Sequence, residues 1–205
     1  MRLPSPPWRF YGWAGLLIDW IDFKDIKRHL FHQRLTPAKV LRDDTLSGHY
    51  FGCYTPVEGS TFQKPFHEFG YIACQARYED AKGFYVARMA VDHPGAMLGG
   101  KQFWGVEKVE GRFEEGEGYA LRINTAGGRV RPTVIFHKRV SLGYWEKRFS
   151  FLSVLKERPI RFHITYHGEL FYCRVKKERI WNEGRVIPLL FDKCWITMEP
   201  GEYLD

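Results

Sequence analysis

The chain has 205 residues, with 31 Lys and Arg against 24 Asp and Glu, a formal net charge of +7 and 17% aromatic residues. That length fits one domain over residues 1–205, able to bury roughly 70% of the surface its unfolded chain exposes, and a 44% hydrophobic content excludes a disordered chain. No run approaches the eighteen or so apolar residues of a membrane helix, and the nearest, Trp13 to Phe23, carries Asp19 and Asp22.

The opening MRLPSPPWRF lacks the apolar stretch and cleavage site of a secretory signal, so a cytoplasmic location without membrane contact is expected. Cys53, Cys74, Cys173 and Cys194 lie far apart, with no CxxC pair and no histidine at metal-ligand spacing. Four free, buried thiols and no metal are the expectation. The basic stretches His137-Lys138-Arg139 and Arg174 to Arg179 read as solvated faces, with no nucleic-acid partner implied.

Period-two alternation dominates the pattern. In chain order it predicts a strand at Phe10–Ile18 and a helix after Asp22 that carries Phe23, Ile26, Leu30 and Phe31, with Pro37 beyond its end. Strands follow at His49–Tyr54, Phe69–Tyr78 and Phe84–Val91. A short helix should start at His93-Pro94 and stop at Gly99-Gly100. Beyond it come strands at Val109–Phe113, Tyr119–Ile123 and Val130–His137. Ile160 to His167 alternates strictly, His167-Gly168-Glu169 reads as a turn, and Leu170–Val175 pairs back as a hairpin before a last strand at Val186–Phe191. The sum is a mainly β, large curved antiparallel sheet or barrel with a few short covering helices. His163 and His167 share a strand face and read as solvent-facing, and Trp145, Trp181 and Trp195 as core or interface anchors. Alternation places His67 and Glu68 on opposite faces.

Gly83-Phe84-Tyr85, Met89, Asp92, Ala96 and the run Gly100-Lys101-Gln102-Phe103-Trp104-Gly105-Val106-Glu107-Lys108 resemble the central block of the acetoacetate decarboxylase family, a Gly-x-Tyr strand, an aspartate and Gly-Arg-Glu-x-x-Gly-x-Pro-Lys-Lys. The likeness extends outward through Pro6-Pro7-Trp8-Arg9-Phe10, Pro65-Phe66-His67-Glu68 and Trp181 to Phe191. It implies a cone-like β-barrel around an apolar pocket, usually in a homo-oligomer, and Schiff-base catalysis without a cofactor. In that chemistry an uncharged lysine amine attacks a ketone, and the iminium takes the electrons released as carbon dioxide departs. An exposed lysine titrates near 10.4, so such an amine must be helped to lose its proton.

By this resemblance Lys108 occupies the Schiff-base position and Glu68 that of a pocket carboxylate. Tyr85 and Met89 are expected on a lining strand, Phe103, Trp104 and Val106 form an apolar wall, and Lys101-Gln102 replaces the Arg-Glu pair. The chain departs from the pattern at Val109, where the second lysine is missing, and at Glu107 in place of proline. Trp13 or Ala14 stands where relatives place a substrate-binding arginine, and Cys53 where they place a glutamate. Charge has been exchanged for apolar surface, so a largely apolar carbonyl compound, a keto acid or polyketide-like substrate, is expected rather than acetoacetate. A cyclase, isomerase or hydrolase using the pocket without an imine, and a non-catalytic binder of an apolar molecule, are the alternatives.

Overall fold

In the computed structural model, residues 3, 5–26, 31–57, 62, 64–125, 133–178 and 186–204 are described. The described residues form eleven strands, most of them built on alternating apolar residues: β1 (Trp8–Asp22), β2 (Thr36–Pro37), β3 (Asp44–Thr55), β4 (Phe66–Tyr78), β5 (Ala81–Val91), β6 (Lys108–Glu115), β7 (Tyr119–Thr125), β8 (Thr133–Leu155), β9 (Arg158–Glu178), β10 (Ile187–Met198) and β11 (Glu202–Tyr203). One helix, α1 (Pro94–Trp104), joins β5 to β6. The strands form one sheet in the order β10-β1-β3-β4-β5-β6-β7-β8-β9-β11, with β2 paired to β4 off this path, and β9 also pairs with β10, so the sheet returns on itself. Pairing is antiparallel except where β5 runs parallel to β6 and meets β8 at Phe84 and Phe151.

The sheet has two interiors. One, inside the ring made by β1, β3, β4, β5, β8, β9 and β10, holds Phe10, Ala14, Tyr54, Phe66, Phe162 and Phe191. The other lies against the opposite face of β1 and β3, where Leu17 and Phe51 meet Leu121 and Ile123 of β7 and Val134 and Phe136 of β8. This explains why β3 is buried without a break from Ser47 to Gly52: both of its faces are covered. Among the described residues, no helix is long and apolar enough to cross a membrane. Cys74, Cys173 and Cys194 are buried and Cys53 is half-buried, and all four are free.

The structure corrects several expected boundaries. The helix after Asp22 is a single 3-10 turn, Phe23–Asp25, capped by the Asp22 carboxylate on Lys24 N, and Ile26 is already extended; residues 27–30 lie outside the described ones. Helix α1 starts as expected, with the His93 ring accepting from Gly95 N and Ala96 N, but it runs through Gly99-Gly100 to a left-handed Gly105 at φ 60°. The two inner glycines serve packing: a Cβ on Gly99 would come within 1.9 Å of the Trp8 ring, and one on Gly100 within 2.7 Å of Lys108 Cε.

Residues 167–169 are not a turn, because β9 continues through them. Gly168 is there because β9 and β10 cross so closely that a Cβ would lie 2.6 Å from Cys194 Cβ. The reversal falls instead at Lys156-Glu157, both at positive φ (50° and 62°), which lets β8 pair with β9 from Leu155↔Arg158 back to Thr133↔Glu178. The strand expected to end at His137 runs on to Leu155 through its pairing with β9; the sequence hid this because His137 to Arg148 are exposed and show no apolar alternation. Residues 126–132 and 179–185, including Trp181, lie outside the described ones. His167 is exposed, whereas His163 is half-buried and bonded to Ser150 Oγ at 3.1 Å. Trp145 and Trp195 are 43% and 48% exposed.

Candidate functional site: a buried lysine and glutamate in an apolar chamber

Alternation along β4 turns Phe66, Glu68 and Gly70 into the first interior and His67 to the other side. On β5, Val91 lies opposite Glu68 and Met89 lies beside Lys108, the first residue of β6. Side chains from β4 and β6 therefore meet across β5, and Lys108 Nζ donates to Glu68 Oε1. Both side chains are withdrawn from solvent, at 4% and 5% exposure. Gly100 of α1 leaves the space in which the aliphatic stem of Lys108 runs.

Around this pair the chamber wall is apolar, with Ile72, Val86, Phe149, Phe151, Phe162 and Ile164 among its residues. Among the described lining residues Lys108 and Glu68 are the only lysine and the only acidic residue, and no arginine contributes. The polar remainder includes the phenols of Tyr50, Tyr54 and Tyr166 and the hydroxyl of Ser47. Burial, assisted by nearby groups that include Glu68, pushes the Tyr54 and Tyr166 hydroxyls well above the ordinary phenol value, so they remain proton donors.

Of the residues expected from the sequence, Met89, Trp104 and Val106 line the chamber with Lys108 and Glu68. Trp104 is anchored by its ring N–H, which donates to Glu199 O at 2.7 Å. The others lie elsewhere. Lys101 and Gln102 are on the exposed side of α1, and Phe103 packs on Trp8 with ring centroids 5.7 Å apart. Tyr85 alternates away from Phe84 and Val86 and stacks on Phe31 at 4.7 Å. Trp13 belongs to the second interior, between Tyr119 at 5.8 Å and Phe136 at 6.4 Å. Glu107 and Val109, flanking Lys108, are both exposed, Val109 by 58%. Tyr166 and the aromatic walls of β8 and β9 were not legible in the sequence, because their place depends on the register that the unusual β8–β9 turn decides, and Tyr50 and Tyr54 were missed because both faces of β3 are covered.

A second cluster occupies the other side of β4. His67 Nδ1 is 2.6 Å from Asp92 Oδ2, which faces it while Asp92 Oδ1 accepts from His67 N at 2.8 Å. His67 Nε2 is 2.7 Å from Glu115 Oε1, and Cys53 is its cross-strand neighbour. Burial opposes charge on this imidazole, but Asp92, Cys53 and Glu115 outweigh it and push the pKa up to about 10.

No family model matches the sequence, and no curated protein does. Solved structures do. Acetoacetate decarboxylase from Legionella pneumophila subsp. pneumophila str. Philadelphia 1 is similar with a TM-score of 0.73 and 14% identity, covering 99% of this chain and 89% of that one. The enduracididine biosynthesis enzyme MppR, complexed with the condensation product of pyruvate and imidazole 4-carboxaldehyde, is similar with a TM-score of 0.64 and 15% identity over 98% of this chain and 90% of that one. An acetoacetate decarboxylase-like enzyme from Sphingomonas wittichii RW1 follows at 0.60 and 11%, over 98% and 94%. The β-rich architecture built up above is therefore the acetoacetate decarboxylase-like fold, here in a divergent sequence.

Proposed function

We propose that this chain is an enzyme that binds a largely apolar carbonyl compound in the chamber and holds it on Lys108 as an imine. The observation that carries the reading is the buried Lys108–Glu68 pair, the only lysine and acidic residue among the described residues of the wall. Glu68, within hydrogen-bond reach, can take a proton from the lysine ammonium and leave the amine free to attack. The amine nitrogen then bonds to the carbonyl carbon, and the carbonyl oxygen leaves as water. With a β-keto acid, the bond to the carboxylate breaks, carbon dioxide departs and the electron pair moves to the iminium nitrogen. The enamine carbon takes a proton, and water hydrolyses the imine to release product and Lys108. The same enamine can instead attack a second carbonyl, which yields aldol or dehydration products.

The chamber wall supports the choice of substrate. With no arginine among the described lining residues, a substrate carboxylate has Lys108 as its one cation among them, and an unpaired buried charge costs several kcal/mol. Acetoacetate suits such a site poorly, while a larger keto acid or polyketide-like carbonyl gains from aromatic contact. No cofactor enters these steps.

Borohydride reduction of the full chain with a panel of keto acids and hydrophobic ketones, followed by peptide mass mapping, tests the reading. A reduced adduct on Lys108, absent in Lys108→Ala, is the expected outcome. No adduct with any of them, together with turnover that survives in Lys108→Ala, would overturn the imine in favour of a cyclase, isomerase or hydrolase. An apolar ligand that co-purifies unchanged, without turnover, would make the chain a binder.

A further inference from the structure

We propose that Cys53, His67 and Glu115 form a zinc-type metal site on the outer side of β4, with Asp92 as the group that orients the histidine. The sulfur, nitrogen and oxygen ligand atoms of these three residues lie within 4.8 Å of one another. In a tetrahedral zinc site, with bonds of about 2.0–2.3 Å, ligand atoms stand about 3.5 Å apart. To close, the set needs side-chain rotations and the release of protons to solvent, from His67 Nε2, which Glu115 now faces, and from the Cys53 thiol, each displaced by the metal. Three ligands of mixed softness, S, N and O, suit zinc or cobalt better than calcium or magnesium.

The carboxylate that would orient the histidine is already in contact with it. Asp92 holds His67 Nδ1 at 2.6 Å and is itself fixed by the His67 backbone N–H at 2.8 Å, so Nε2 is aimed at Glu115. A carboxylate on the far nitrogen of a ligating histidine is the usual arrangement at such centres. Glu115 is half-exposed, which gives a metal a way in and leaves a fourth position for water. Distant sequence spacing hid the set: Cys53 and His67 become neighbours only through the β3–β4 register, and Glu115 arrives on β6.

The site would also matter mechanically. His67 precedes Glu68 on β4, and Glu115 ends the strand that Lys108 begins. A metal there would fasten these two strands together from behind the chamber, without touching a substrate. The reading is independent of imine chemistry at Lys108.

Cobalt titration of the full chain, first treated with a chelator, tests it. Co2+ should give visible ligand-field bands of a four-coordinate ion and a near-ultraviolet thiolate-to-cobalt charge-transfer band, both saturating at one equivalent and bleached by Zn2+. Cys53→Ser should lose the charge-transfer band, and Asp92→Asn should weaken binding roughly 10- to 100-fold. Zn2+ should raise the melting temperature of the parent chain but not of Cys53→Ser. A parent spectrum equal to that of free cobalt at millimolar metal, or a charge-transfer band that persists in Cys53→Ser, would overturn the proposal and leave His67 as an ion-pair clamp between carboxylates. The buried cysteines 74, 173 and 194 serve as the internal control.

Discussion

Lowering the pH should destabilise the fold through His49. The ring stacks on Phe69 at 5.7 Å and 8°, the residue is 1% exposed, and among the described residues its Nδ1 has no hydrogen-bond partner. Burial, with a smaller contribution from Lys177, pushes its pKa from 6.5 to about 4. A histidine held neutral in this way contributes stability in full above the unfolded value of about 6.5. Below that pH the unfolded chain takes up a proton that the native chain refuses, so stability falls until native His49 also titrates near 4. The total is roughly 3 kcal/mol, lost at no more than about 1.4 kcal/mol per pH unit. Urea unfolding of the parent and of His49→Phe at pH 7 and pH 4 measures it. Other groups titrate alike in both proteins and cancel, as does any packing difference that is independent of pH. The parent should lose about 2–3 kcal/mol more than the variant over this range, and equal losses would refute the argument.

Three further outcomes follow from the same physics. Glu68→Leu alone should cost about 3–5 kcal/mol, because it leaves Lys108 buried without its partner, whereas Glu68→Leu with Lys108→Met should be much closer to neutral in denaturant unfolding. Gly168→Ala should destabilise by about 1–3 kcal/mol, since its Cβ meets the Cys194 backbone at 2.8 Å, while Gly70→Ala should cost less, its nearest contact being the movable end of Met89 at 3.3 Å. Val109→Lys should change stability by less than about 0.5 kcal/mol and leave the yield of borohydride adduct unchanged, because position 109 is exposed and faces away from the chamber.

The parts of the fold that strict alternation governs were legible: β4, β5 and β7 fall where the sequence places them, and the pair Lys108 and Glu68 is brought together by neighbouring strands. Legibility failed where a glycine or a charged residue had a reason other than the usual one. Gly99, Gly100 and Gly168 read as stops, yet each makes room for a close neighbour. Lys156-Glu157 turns the chain without Gly, Asn or Pro, so nothing local announces it. Trp13 and Tyr85 read as pocket residues because they lie near family positions, but a strand has two faces, and here the second face is also covered. Only the packing of one layer on another distinguishes the chamber face from the other interior.

The return of the sheet on itself bears on how the chain folds. Strand β1 pairs with β10 from Trp8↔Met198 to Ile18↔Ile187, so one of the first strands made waits for one of the last. At about 5–20 residues per second on the ribosome, that edge of β1 stays bare for on the order of ten seconds or more. Pairings so distant along the chain also make for slow folding, in milliseconds to seconds once the chain is free. During this time Phe10, Ala14 and Leu16 face an unclosed ring and are open to mispairing with other nascent chains. Strand β10 is the clasp, bonded to β1 on one side and β9 on the other. A lesion in it would reopen the whole enclosure rather than trim one edge.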